Sequence, residues 1–238
     1  MVSVMAAQFN QQKAEILAHL DTTRIGTKNY TRKDWLQDLL DWAEAAGSFK
    51  TAIQPVVHAT LLQAGQDAIQ GVGLEASQFD PFTPAIVEYF QNRSIKIAKD
   101  VTYETEKQLR AALSQSVVDG KSSYELRGMV ENVMGSASTM RADRIARTEV
   151  SRSQGYGDIQ AWKQSGVVEG KEWFTAEDEH VCPFCDDLDH TIVGLDDNFF
   201  DKGDTLEAGG QAMAMNYDDV PSCPLHVNCR CVLLPVRA

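Results

Sequence analysis

Cysteine and histidine crowd into two short stretches near the C-terminus, Cys182-Pro183-Phe184-Cys185 and His226-Val227-Asn228-Cys229-Arg230-Cys231, while the first 181 residues hold no cysteine. Thiolates and imidazoles in closely spaced pairs are the usual donors of a tetrahedral zinc, because each tight turn presents two ligands to one ion at about 2.0 to 2.3 Å. The spacing selects Cys182, Cys185, His226 and Cys229 as the ligand set. Cys231 could replace Cys229, since residues two apart on a strand point to the same side; Cys223 and His190 lie nearby in sequence as further candidates. Four protein ligands would close the shell, which makes such an ion a structural staple rather than a catalyst. Two other readings compete: buried reduced thiols, which behave as small apolar groups, and disulfides. Residues 1–9 carry no basic segment and no long apolar run of the secretory kind, so the expected place of synthesis is a reducing cytosol, where disulfides are disfavoured.

Two strands would be needed to bring those turns together. Lys171-Glu172-Trp173-Phe174-Thr175 just before the first pair and Cys231-Val232-Leu233-Leu234-Pro235-Val236 just after the second both read as strands, and antiparallel pairing would place the turns side by side. The region between them reads as a long loop with one short helix; its Met213-Ala214-Met215 run is read as packing.

Upstream, the chain reads as helices. Thr31 and Asp34 resemble a capping box ahead of an apolar stripe, Trp35, Leu36, Leu39, Leu40 and Ala43, that runs to Gly47. Pro55 suits the first turn of a second helix ending at Gly71 and Gly73. Thr83-Pro84 opens a long helix toward Val118, about nine turns at about 5.4 Å each. Ser122 and Glu125 form a capping box for a helix ending at Gly135, and a last helix runs from Ser136 or Ser138 to Gly166. It carries Arg141, Arg144, Arg147 and Arg152, interrupted by Asp143 and Glu149, so ion pairing with neighbours competes with phosphate contact. The fold class is therefore α+β: a mainly helical region over residues 1–135, then a small C-terminal module with a short antiparallel sheet and the Cys/His cluster over residues 136–238.

The 238 residues are 43% hydrophobic, enough for a sizeable core, and their net charge is -12. Between Thr175 and Val220 there are 13 acidic residues and one basic residue, Lys202, so the acid is local and the rest of the chain is balanced. An acidic stretch of this kind reads first as a solvated face, with a docking surface for a basic partner as the alternative. No apolar run is long enough to span a membrane. His-Glu-x-x-His and Gly-x-Ser-x-Gly are missing from the sequence, which weighs against a hydrolase or protease.

Three features in order carry a family resemblance: Ala146-Arg147-Thr148-Glu149 on a helix, Trp173 to Cys185 with its acidic turn and Cys-x2-Cys, and Pro224-Leu225-His226-Val227-Asn228-Cys229-Arg230-Cys231 at the end. The stretch from about Arg141 to Val236 resembles the phage Mu F-like minor head proteins, also called phage head morphogenesis proteins. The resemblance implies a component of a tailed phage or prophage particle with no settled enzymatic activity, a virion protein assembled in the host bacterial cytoplasm, and the chain is read as not an enzyme. Its implied partners are the portal protein and other head proteins, with a part in head assembly and in DNA delivery, weak or no direct DNA binding, and no membrane. The family motif falls on Arg147, Thr148 and Glu149, on Cys182 and Cys185, and on His226, Cys229, Arg230 and Cys231. Arg147 and Glu149 are expected to tie the last helix to the module, and Arg230 to pair with Glu149 or with an acidic residue of the loop. The alternative function is a nucleic-acid-binding module stapled by zinc, which the acidic surroundings of the cluster oppose.

Overall fold

Apolar residues at helical spacing decide the first two thirds of the chain. In the computed structural model, which describes residues 1–22, 40–118, 123–176 and 178–237, helix α1 (Val2–Thr22) buries Met5, Phe9, Gln12, Ile16 and Leu20 along one stripe. Helix α2 (Trp42–Gly71) buries Ala45, Phe49, Ile53, Val57, Leu61 and Ala64. Asp41 starts it, its Oδ1 accepting from the N–H groups of Ala43 and Glu44 at 3.0 and 2.9 Å. Pro55 lies inside α2, not in a first turn as the sequence suggested: the apolar stripe runs uninterrupted through it, so burial of that stripe outweighs the hydrogen bond that proline removes. Thr31, Asp34, Trp35, Leu36 and Leu39 lie outside the described residues, and Gly47 sits within α2 rather than ending a helix.

Helix α2 stops as its glycines predict. Gly73 has φ +84, and Gly73 N–H donates to Gln70 O at 2.9 Å while Leu74 N–H reaches back to Ile69 O at 3.1 Å. That pair of bonds is a Schellman cap, which needs a left-handed residue and so favours glycine. Helices α3 (Pro84–Val118), α4 (Ser123–Met134) and α5 (Ser136–Ser165) follow within a residue or two of their expected limits; Ser122 of the expected capping box is outside the described residues.

The described chain divides into two compact units, residues 1–56 with 88–146 and residues 57–87 with 147–238. In the first, Ile16, Leu20, Leu40, Ala45, Leu109, Leu113, Leu126, Val130 and Met134 form one apolar cluster, and Phe9 packs on Phe49 with ring centroids 5.7 Å apart.

In the second unit, β1 (Val168–Phe174), β2 (Ile192–Gly194) and β5 (Val232–Arg237) form an antiparallel sheet of strand order β2-β1-β5, and helix α6 (Pro183–Leu188) lies between β1 and β2 in the chain. Trp173 is fully buried at 0% exposure and meets the ring of Phe199 edge-on at 5.1 Å. It belongs to a core with Ile159, Trp162, Val168, Phe184, Leu188, Val220, Leu225 and Leu233. Lys171, also inward and 1% exposed, donates to the carbonyls of Leu195 and Asp197 at 3.1 and 2.7 Å. Burial lowers its pKa to about 8.

The acidic region holds more structure than a loop with one helix. Strands β3 (Thr205–Ala208) and β4 (Gln211–Ala214) form a hairpin. Its two-residue turn is Gly209-Gly210, with φ +58 and +73; two positive φ values match the twist of paired strands. Met215 is fully buried and Met213 packs against the same core, as expected of packing residues.

Candidate metal centre

The register of β1 and β5 brings the two turns together. Phe174 pairs with Val232, so the chain leaving β1 toward Cys182 runs beside the chain entering β5 from His226. Each turn is shaped locally. Cys182 caps α6, its Sγ accepting from Cys185 N–H at 3.4 Å, and Pro183 occupies the first turn where its missing N–H costs nothing. In the second turn Asn228 takes φ +63, and Cys229 N–H bonds back to His226 O at 3.2 Å.

The donor atoms converge. His226 Nε2 is 3.0 Å from Cys182 Sγ and 3.3 Å from Cys185 Sγ, and Cys185 Sγ is 3.8 Å from Cys229 Sγ. Cys182, Cys185 and His226 form one group whose ligand atoms lie within 4.8 Å of one another, and Cys185, Cys229 and Cys231 form a second; Cys185 is common to both. A tetrahedral zinc with bonds of about 2.0 to 2.3 Å sets its ligand atoms about 3.5 to 3.8 Å apart, close to this spacing. The five residues also line a void of about 20 Å³, room for a single ion or water. His226 Nδ1 faces the carbonyl of Val227 at 2.9 Å; a carbonyl only accepts, so Nδ1 carries the proton and Nε2 is left as the donor atom.

Electrostatics point the same way. The Cys185 thiol, donating to Cys229 and flanked by Cys231 in a buried site, has its pKa pushed up, whereas Cys229, accepting from Cys185 and then Cys231, is pushed down. A bound cation would favour the ionised form of every ligand. The donor set, spacing, void and imidazole orientation all fit a metal ion, so the cluster could hold one.

Other sequence candidates fall elsewhere. Cys223 is 2% exposed, in the core before a cis Pro224, and belongs to neither group. His190 stands on the outer side of the sheet, its Nδ1 2.5 Å from Glu172 Oε1. Of the two partners expected for Arg230, the structure has the acidic residue of the loop, Asp178, and not Glu149: its Nη1 donates to Asp178 Oδ2 at 2.7 Å and its Nη2 to Asp178 Oδ1. This two-pronged clamp ties the segment between the last ligands to the turn leading into Cys182, and it holds the exposed Asp178 carboxyl down at a pKa of about 2. Glu149, 6% exposed, pairs instead with Arg152 on its own helix at 3.4 Å. Thr148 is buried beside it, whereas Arg147 is exposed.

Asp178 had no signal of its own in the sequence, being one acid among thirteen. The same is true of Tyr217, whose hydroxyl donates to Leu225 O at 2.6 Å and braces the segment entering His226. The arginines of α5 are engaged within the chain. Arg141 donates to Thr105 Oγ1 and Val101 O at 3.0 and 3.1 Å, Arg152 pairs with Glu149, and Arg144 and Arg147 also have interactions. Among the described residues no helix is long and apolar enough to cross a membrane.

Comparison with known proteins agrees with the resemblance. The family described as Phage Mu protein F like protein matches residues 107–234, more than half of the chain. No curated protein and no solved structure matches. The chain belongs to the phage Mu F-like family of head morphogenesis proteins.

Proposed function

We propose that this chain is a structural minor head protein of a tailed phage or prophage that binds near the portal vertex, acts in head assembly and takes part in DNA delivery. In this reading it assembles in the host bacterial cytoplasm and ends in the virion. Its helical residues supply the surface that meets other particle proteins. Its C-terminal module is fixed by one structural zinc held by Cys182, Cys185, His226 and Cys229, with Cys231 beside them as the substitute fourth ligand. Zinc here supplies a cross-link between two distant stretches of chain and no reactive position, because four protein ligands close its shell. The observation that carries the reading is that the family match runs through the whole segment in which these residues converge.

The internal engagement of the α5 arginines supports a protein-binding role over DNA binding, since a phosphate contact would first have to displace their present partners. The experiment is co-purification with the portal protein of the same phage or prophage, with the mass of the complex measured. A stable complex of defined stoichiometry is expected; no binding to portal or to any head protein would remove the reading.

A further inference from the structure

The donor cluster holds more thiols than one ion uses. A structural zinc takes four protein ligands, yet five donors stand in two groups that share Cys185, and Cys185, Cys229 and Cys231 have their sulfurs within 4.8 Å of one another. Such a set has a second way to join its two turns. Cys185 Sγ and Cys229 Sγ are 3.8 Å apart, on residues 44 positions apart in the chain. A disulfide needs about 2.0 Å, an approach that side-chain rotation can supply because both residues line the same small void.

Exposure orders the chemistry. Cys185 and Cys231 are buried, at 3% and 6% exposure, whereas Cys229 is partly exposed. A small oxidant from solvent therefore meets Cys229 first, and Cys185 is the thiol that faces it. Cys182 is partly exposed too, but its sulfur caps α6 and lies 3.0 Å from His226 Nε2. A bond from Cys182 to Cys185 would stay inside one turn, and one from Cys229 to Cys231 inside the other. A bond from Cys185 to Cys229 links the two.

We propose that Cys185 and Cys229 form a reversible disulfide when the chain meets a hydroperoxide, and that this bond replaces the metal as the link between the turns. The Cys229 sulfur attacks one peroxide oxygen: an S–O bond forms, the O–O bond breaks, and the departing hydroxide leaves as water with the thiol proton. The Cys185 sulfur then attacks the Cys229 sulfur; the S–S bond forms, the S–O bond breaks, and the second oxygen leaves as water with the Cys185 proton. Each sulfur gives up one electron and each peroxide oxygen gains one. Where the sulfurs start as zinc thiolates, solvent supplies the two protons. Loss of two thiolate donors releases the ion; that release rests on the metal reading above, whereas the bond rests on the placement of the thiols alone. The disulfide closes a loop that the metal also closes, so it too constrains the unfolded chain. The module thus keeps its link both in a reducing cytosol and in an oxidising medium.

The test treats the anaerobically purified full-length chain with hydrogen peroxide, then alkylates the remaining thiols and maps the linked peptides by mass spectrometry without reduction. Expected are a chain lighter by two hydrogens, a Cys185–Cys229 linked peptide pair, and release of about one zinc per chain. Dithiothreitol with added zinc should reverse all three. The oxidised chain should melt several degrees above the reduced, chelator-treated chain. Cys231→Ser should still form the bond, since it leaves both partners in place. Sulfinic acid without a cross-link, a bond confined to Cys182–Cys185, a bond that uses Cys231, or melting no higher than that of the reduced chelated chain would overturn the proposal. A Cys185–Cys229 bond formed with no zinc released would uphold it while removing the metal reading.

Discussion

The helical unit and the C-terminal module solve the same problem with different means. In the helical unit, long elements each bury a stripe: α1 has 21 residues and α3 has 35, and every turn adds apolar contact. Among the described residues after Gly166 no strand exceeds the 7 residues of β1, and β2 has only 3. Elements that short cannot stand alone. They are held by large buried residues, Trp173 foremost, and by side chains that bridge loops, such as Lys171, Tyr217 and the Arg230 clamp on Asp178, beside two thiol and imidazole groups that share Cys185. Where local propensity is weak, links between distant stretches carry the order.

The contrast can be broken most severely at Trp173. Trp173→Ala removes the largest fully buried side chain among the described residues and should cost about 3 to 5 kcal/mol. Hydrogen exchange should show the loss of protection concentrated in β1, β2 and β5; equal loss in α1 and α4 would erase the distinction between the two regions. Next comes Cys185→Ser. Cys185 is common to both donor groups, so its loss should weaken zinc about a thousandfold, which corresponds to about 4 kcal/mol at most when metal is in excess. Metal content and module melting should fall together, with far-ultraviolet helicity kept.

In the helical unit the counterpart is Leu109→Ala, at a position 1% exposed, expected to cost about 3 kcal/mol while bound zinc is unchanged. Loss of metal in that variant would show the contrast to be wrong.

The smallest effect belongs to Asp158 of α5, whose pKa is raised from 3.8 to about 7, first by burial and then by the nearby Asp67. Between about pH 4 and 7 the folded chain keeps a proton there that the unfolded chain releases, so this group makes stability fall as pH rises through that window and level off above it. Asp158→Asn should flatten the dependence across the window. Melting temperatures at pH 5 and pH 8 check it: an unchanged difference between wild type and variant would reject the assignment.

How much of this was legible in the sequence follows from the same contrast. The helix limits at Pro84, Gly135 and Gly166 were readable because capping and apolar spacing are local signals. Pro55 misled, since the tertiary value of an uninterrupted stripe outweighs one proline. In the module, the pairing of β1 with β5 and the approach of the cysteine turns were readable from their symmetrical placement around the acidic region. The β3–β4 hairpin was signalled by Gly209-Gly210, but the surrounding polar residues masked it as loop. Asp178 and Tyr217 were invisible, because a long-range partner leaves no periodicity and the acids around Asp178 are interchangeable by type.

Metal analysis of the chain after anaerobic purification tests the central claim most directly. About one zinc per chain is expected, lost together with the protection of β1 and β5 when a strong chelator is added. A folded chain without metal, in which Cys182, Cys185, Cys229 and Cys231 react freely with a thiol reagent while β1 and β5 stay protected, would contradict it.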